Sequence, residues 1–454
     1  MSITILLSGL CACATLPGFE KAYFNPSDCR FPRIIDAFGP LDRQSSISII
    51  EQISEGTVST ANLVRLMSFE EVVSGCPLVY GNRLTLFSSG AEAYAAMIQT
   101  ISGAKKNINF ETYIFENDEV GKQFSRLLAR KQVEGVQVNI IYDSLGSFGP
   151  MGFLFDEIEE NGGKVVAFRP LNPLHIIYPW GLNQRDHRKI VLVDGEIAFT
   201  GGINISQVYL AKPATKDTAP TLDTNKACRD AHVMMEGPAV RELQSLFAKS
   251  WKEEEGESLK NEDYFPPLKN KGTHLVRVIG TTPQCKQRPI YMAYLSAITH
   301  AQKYVHISMA YFIPGRQIIE ALCEAAKRGV EVVLILPSFS NVKLAIHAGR
   351  SYYKKLLENG VNIYEMKRMF LHSKTAVVDG TWSTIGSTNL DYRGFLHDHQ
   401  VNVIIYGSDF AQELDSIFLE DLEASEQITL EKWKKRPLSH RLIEWFGRLV
   451  KYWL

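Results

Sequence analysis

Two histidines, each two residues ahead of a lysine, stand in matched surroundings. The first is His187 in Asp186-His187-Arg188-Lys189-Ile190-Val191-Leu192-Val193-Asp194, followed by Thr200-Gly201-Gly202-Ile203-Asn204. The second is His372 in Leu371-His372-Ser373-Lys374-Thr375-Ala376-Val377-Val378-Asp379, followed by Ile385-Gly386-Ser387-Thr388-Asn389. Both read H-x-K-x-x-x-x-D, then Gly-Gly or Gly-Ser, one residue, and Asn. The asparagine falls 17 residues past the histidine in each copy, 187 to 204 and 372 to 389. A solvated polar face needs no matched spacing, so the repeat marks duplicated architecture around a site.

Two imidazoles and two ammonium groups, with no metal-ligand spacing, describe attack on a phosphodiester without metal or cofactor. A neutral histidine attacks phosphorus and forms a phosphohistidine. The other, protonated, gives its proton to the leaving alkoxide and then takes one from the incoming alcohol or water. Lys189 and Lys374 would neutralise the non-bridging oxygens. Asn204, Asn389 and the backbone near Gly202 and Ser387 are candidate donors to the same oxygens. A turn-stabilising role for the asparagines stands equally beside that reading. The near-symmetry leaves open which histidine attacks. Five residues past the lysine is an odd offset on a strand, so Asp194 and Asp379 face away and read as ties of strand ends.

These side chains need strands to aim them. Histidine and lysine two apart on an extended chain share a face. The apolar run after each lysine reads as a buried strand closed by an Asp-Gly turn, and a second short run enters the glycine pair. Upstream, each half repeats one order of elements. Ala91 to Ala104 reads as a helix, Asn107 to Phe115 as a strand, Asp118 to Gln132 as a helix stopped at Gly135, and Val136 to Tyr142 as a strand. The later half gives a helix from Pro289 to Ala301, a strand from Tyr304 to Phe312, a helix from Ile318 to Arg328 stopped at Gly329, and a strand from Val330 to Leu336. Strand, helix and strand in that order predict βαβ units and a mostly parallel sheet covered by helices.

The paired motifs resemble the HKD motifs of the phospholipase D superfamily. Tyr113-Ile114-Phe115, Tyr142-Asp143-Ser144-Leu145-Gly146-Ser147 and Gly386-Ser387-Thr388-Asn389-Leu390-Asp391-Tyr392-Arg393 resemble its bacterial cardiolipin synthase branch. The similarity runs from about Val79 to about Arg436. It implies an α/β fold of two pseudo-symmetric α/β/α sandwich halves sharing one active site at their interface. It implies a catalytic set of His187, Lys189, Asp194, His372, Lys374 and Asp379, with His187 the nucleophile and His372 the acid and base. The implied reaction passes a phosphatidyl group from phosphatidylglycerol to a second phosphatidylglycerol, giving cardiolipin. Hydrolysis to phosphatidic acid is the close alternative.

The resemblance also implies a glutamate downstream of the second motif that orients a ring. That position holds Gln400, and Asp398 replaces an asparagine of the pattern. Laying Arg229-Asp230-Ala231-His232-Val233 on Asp398-His399-Gln400-Val401 aligns Asp230 with Asp398. The expectation is that Asp230 orients His187 and that Asp398 partly makes up for Gln400.

The ends of the chain point to a membrane. Ile3 to Leu10 is a short apolar segment before Leu10-Cys11-Ala12-Cys13, which resembles a bacterial lipoprotein signal ending in a lipidated Cys13. A frayed terminus with small residues is the plain alternative. Trp433 to Leu454 places Leu438, Leu442, Trp445, Phe446, Leu449 and Trp453 on one helical face, with Arg436, Arg441, Arg448 and Lys451 around it. Such a helix reads as interfacial on an anionic membrane or as docked on its own core. Leu171 to Trp180 is a loop whose aromatics suit acyl chains. The expected location is a bacterial membrane, as a lipoprotein facing the periplasm or peripherally on the inner membrane.

Composition narrows the partners. The 454 residues carry a net charge of −1, so no global basic field advertises nucleic acid. No run of 18 apolar residues appears. The seven cysteines show no metal-ligand spacing. The expected partners are phospholipids and a membrane surface, without nucleic acid or metal; a nucleic-acid phosphodiesterase, which shares the motif pair, and a catalytically silent lipid binder remain the contrasting classes. The expected domains are a signal-like segment over 1–18 and an accessory helical region over 19–83. The first half follows over 84–255, a linker over 256–273, the second half over 274–428 and a basic amphipathic helix over 429–454.

Overall fold

In each half a helix between two parallel strands stops at a glycine. In the computed structural model Asp118 accepts from the amide of Gly121 at 3.0 Å and begins the helix Glu119–Val133. Gly135, at φ 89°, then turns the chain into the strand Gln137–Asp143. In the second half the helix Gly315–Lys327 ends before Gly329 at φ 88°, and the strand Glu331–Pro337 follows. The structure describes residue 16 and residues 31–55, 58–147, 153–170, 183–210, 227–255, 258–259 and 261–453.

The strands on either side of these helices pair in parallel, Asn107 with Gln137 and Tyr304 with Glu331. The first half runs, from its edge, Lys164–Phe168, Gln137–Asp143, Asn107–Thr112, Lys189–Val193, Ile197–Gly201, His232–Glu236 and Leu78–Phe87. The second half repeats it in reverse: His274–Thr281, Gln400–Tyr406, Trp382–Gly386, Lys374–Val378, Tyr304–Met309, Glu331–Pro337 and Asn362–Met366. Leu78–Phe87 and His274–Thr281 pair antiparallel, so one sheet runs through both halves.

The sheet is mixed rather than mostly parallel. Only the three outer strands in each of these runs follow the βαβ rule. The motif strands are joined by tight turns centred on Asp194-Gly195, at φ 55° and 65°, and on Asp379-Gly380, at φ 55° and 67°. Two successive positive φ values are the primed hairpin geometry, which forces antiparallel pairing.

Alternate side chains of the motif strands enter opposite cores. Val191 and Val193 pack with Phe124 and Leu128, whereas Ile190 and Leu192 pack with Phe247 and Trp251 of the helix Val240–Glu255. Helices thus cover both faces, as a sandwich requires. The accessory helical region holds two helices. Asp42 caps Arg43–Ser54, and Ser59 caps Thr60–Ser74, which ends at Gly75 with φ 68°. They lie on the second half, where buried Glu70 accepts from Trp382 Nε1 at 2.9 Å and from the Tyr406 hydroxyl. The strand Leu78–Phe87 crosses residue 84, where the first half was expected to begin.

Candidate active site

The backbone before each histidine is held by the opposite half. His187 N donates to His399 O at 3.0 Å, and His399 N donates to Arg185 O at 2.8 Å. His372 N donates to Arg229 O at 2.8 Å, beside the short parallel pairing of Phe370–Leu371 with Cys228–Arg229. These matched bridges set the residue after each partner, Gln400 and Asp230, against a ring of the other motif.

His372 Nδ1 lies 2.7 Å from Asp230 Oδ2. His187 Nδ1 lies 3.2 Å from Gln400 Oε1 and 3.0 Å from the Ser387 carbonyl. The expected partnership of Asp230 with His187 is therefore corrected: the carboxylate serves the second histidine. The overlay that suggested it was two residues out of register. His232 pairs with Gly201, and Asn402 pairs with Gly386, so Asp230 is the counterpart of Gln400. Asp398 does not make up for Gln400 either. It forms an ion pair with Arg393 at 3.1 Å and accepts from Arg185 N at 3.3 Å.

Gln400 is instead supported by Ser387, whose hydroxyl donates to Oε1 at 2.6 Å while accepting from Val401 N at 3.0 Å. The first motif has Gly202 at that place. A Cβ on Gly202 would fall 2.1 Å from Asp230 Oδ1. Glycine leaves room for a carboxylate, and serine holds an amide. Neither backbone amide is free for a ligand, which corrects that expectation: Gly202 N donates to Ala231 O at 3.0 Å and Ser387 N to Val401 O at 2.8 Å.

The asparagines differ. Asn204 accepts from Ile114 N at 3.2 Å and donates to Tyr209 Oη at 2.9 Å, so it holds the loop. Tyr209 Oη is in turn 3.3 Å from His372 Nδ1, a neighbour that the sequence did not signal. Asn389 is buried, and its Oδ1 has no partner among the described residues. Asp194 and Asp379 are far from the rings, against their place in the catalytic set. Asp194 Oδ1 accepts from Lys106 N at 2.7 Å and Asn107 N at 3.1 Å, and Oδ2 from Lys105 N at 2.9 Å. Asp379 takes Gln302 N, Lys303 N and Tyr304 N at 2.8, 2.7 and 3.0 Å. Five residues of strand separate each from its lysine, about 17 Å at the usual rise.

A family model described as "Cardiolipin synthase, PLD-like domain" matches residues 97–219 and 294–422. The cardiolipin synthase of Alkalihalophilus pseudofirmus is 35% identical over 376 residues, 82% of this chain and 73% of that protein. The chain belongs to this family. It is therefore an enzyme of the phospholipase D superfamily. A second family member, the cardiolipin synthase of Geobacillus kaustophilus, is 34% identical over 82% of this chain and 73% of its own length. The crystal structure of phosphatidylserine synthase from Haemophilus influenzae Rd KW20 shares the fold, with a TM-score of 0.58 at 14% identity, covering 82% of this chain and 95% of that one.

In this cardiolipin synthase relative both motif lysines are buried and fold back onto their own histidines. Lys189 Nζ donates to His187 O at 2.6 Å, and Lys374 Nζ donates to His372 O and lies 3.0 Å from its Nδ1. Burial, then Lys374, holds Lys189 well below the ordinary ammonium range. Burial brings Lys374 down to about 8. His187 is pushed well down by burial and then by Lys189, Lys374 and His372. Burial and Lys374 bring His372 to about 4, against the pull of Asp230. Two buried lysines beside two imidazoles, with Asp230 the carboxylate against one ring, suit a phosphodiester anion, whose charge raises the pKa of both rings.

Leu171 to Trp180 and the lipidation candidate Cys13 lie outside the described residues. No helix among the described residues is long and apolar enough to cross a membrane.

Proposed function

We propose that this phosphatidyltransferase of the cardiolipin synthase type works through a phosphohistidine on His187. The lone pair of its Nε2 attacks the phosphorus of phosphatidylglycerol. The bond from phosphorus to the glycerol oxygen breaks, and His372 Nε2 supplies the proton that releases glycerol. The headgroup hydroxyl of a second phosphatidylglycerol then gives its proton to His372 and attacks the same phosphorus. The phosphorus–nitrogen bond breaks, and cardiolipin leaves. Lys189 and Lys374 neutralise the non-bridging oxygens, and the Asn389 amide donates to one of them.

The observation carrying this division of labour is the unlike pair of ring partners. A carbonyl can only accept, so the Ser387 oxygen at 3.0 Å keeps the proton on Nδ1 of His187 and the lone pair on Nε2. Asp230 opposite His372 favours the imidazolium form that an acid needs. The lipids are drawn from a membrane surface, with Cys13 as a lipid anchor at the periplasmic side and without nucleic acid or metal as partners. Labelled palmitate entering the wild-type chain but not Cys13→Ala tests the anchor.

Purified protein is incubated with phosphatidylglycerol vesicles and chelator. Cardiolipin with equimolar glycerol is the expected result. Phosphatidic acid would make the enzyme a hydrolase, and a requirement for added metal would overturn the mechanism.

A further inference from the structure

The C-terminal helix Leu438–Leu449 meets the protein with one side and leaves an apolar stripe uncovered. Its inner side is fixed closely. A Cβ on Gly447 would lie 2.9 Å from the Ala348 amide nitrogen, and buried Glu444 pairs with Arg436 at 2.7 Å. Arg436 is thus a clamp for the helix rather than a free surface charge. On the outer side Leu438, Leu442, Trp445, Phe446 and Leu449 are exposed at 73, 68, 61, 52 and 58%. Positions i, i+4, i+7 and i+11 make a single stripe along the helix.

We propose that this stripe docks the enzyme on an anionic lipid leaflet and presents its active site to the bilayer. The proposal rests on the reading of the substrate as a membrane phospholipid. Charge supports it: Thr429 to Trp453 holds seven Lys and Arg against two Glu, in a chain whose net charge is −1. Arg441 and Arg448, both exposed, border the stripe where lipid phosphates would lie. A two-fold contact between copies would bury the same stripe, and it would set these arginine-edged faces against each other.

Position relative to the chemistry supports it as well. Beyond the helix, Tyr452 packs on His397 with ring centroids 5.0 Å apart and on Tyr392 at 6.5 Å. Lys451 Nζ stands 5.2 Å from the Tyr392 ring. Tyr392 opens and His397 caps the short helix Tyr392–Leu396, which lies between Asn389 and Gln400. The docking helix is thereby tied to the segment that carries two residues of the site.

The test compares the full-length Cys13→Ala chain with the same chain carrying Leu442→Glu and Trp445→Glu. Both are floated with vesicles of phosphatidylglycerol or of phosphatidylcholine, and both are assayed on vesicles and on monomeric dihexanoyl phosphatidylglycerol. The expected result is flotation with the anionic vesicles, weakened at least about tenfold by the two substitutions. Transfer should fall alongside on vesicles and stay within about twofold on the monomeric lipid. Undiminished flotation of the variant, equal loss of transfer on both substrates, or a wild-type dimer that the substitutions make monomeric would each overturn the proposal. The flotation pattern without any transfer would uphold the docking and sink the phosphatidyltransfer reading.

Discussion

Asp230 and Gln400 occupy equivalent places, yet one carries charge and the other does not, and that difference can be measured. Gln400→Glu would set a carboxylate against Nδ1 of His187. An opposite charge favours the imidazolium, so the depressed pKa of His187 rises and the attacking neutral form is lost at higher pH. The acidic limb of kcat/KM should move upward by about one unit or more, measured between pH 5 and 8. An unmoved limb would separate Gln400 from the nucleophile. Asp230→Asn keeps an acceptor but removes the charge that supports His372. Turnover with phosphatidylglycerol should fall by about 10²-fold or more. A p-nitrophenyl phosphodiester, whose leaving group needs no proton, should be impaired far less. Equal loss on both substrates would mean that Asp230 merely holds the structure.

At the scale of elements, the motif aspartates act as knots between strands. Removing Asp379 strands three backbone amides, so Asp379→Ala should cost about 2–4 kcal/mol in urea unfolding. Asp379→Asn should lose less, because asparagine tolerates the positive φ and keeps one acceptor. Neither change should prevent adduct formation by the folded fraction; loss of adduct at full stability would return the aspartate to the chemistry. This structural role was legible in the sequence from the odd offset after Lys189 and Lys374. So were the helix stops at Gly135 and Gly329, because local backbone demands set them. Which ring each partner serves was not legible. Asp230 reaches His372 across 142 residues and Gln400 reaches His187 across 213. Only strand register fixes which residue arrives, and a shift of two kept every local pattern plausible while misplacing Asp398. The mixed sheet was missed for a related reason: βαβ order speaks for the outer strands, while the Asp-Gly turns were read as turns without the antiparallel pairing they impose on the inner ones. Ser387 in place of Gly202 was the visible mark of an altered partner.

Across the whole molecule, the accessory helices and the shared sheet hold two half-sites in one frame. Glu70 lies 3.6 Å from fully buried Arg277 of the strand that joins the halves, and Arg277 also donates to Met67 O at 2.7 Å. Glu70→Ala strands that guanidinium and should cost about 3–5 kcal/mol, read as a lowered urea midpoint. An unchanged midpoint would detach these helices from the stability of the sheet. The central claim is that both histidines act on one phosphorus with unlike roles. Quenching the enzyme in denaturant during turnover of lipid carrying labelled phosphate tests it most directly. The account predicts one acid-labile label per chain, on the peptide bearing His187, accumulating in His372→Ala and absent from His187→Ala. Label on the His372 peptide, or two labels per chain, would contradict it.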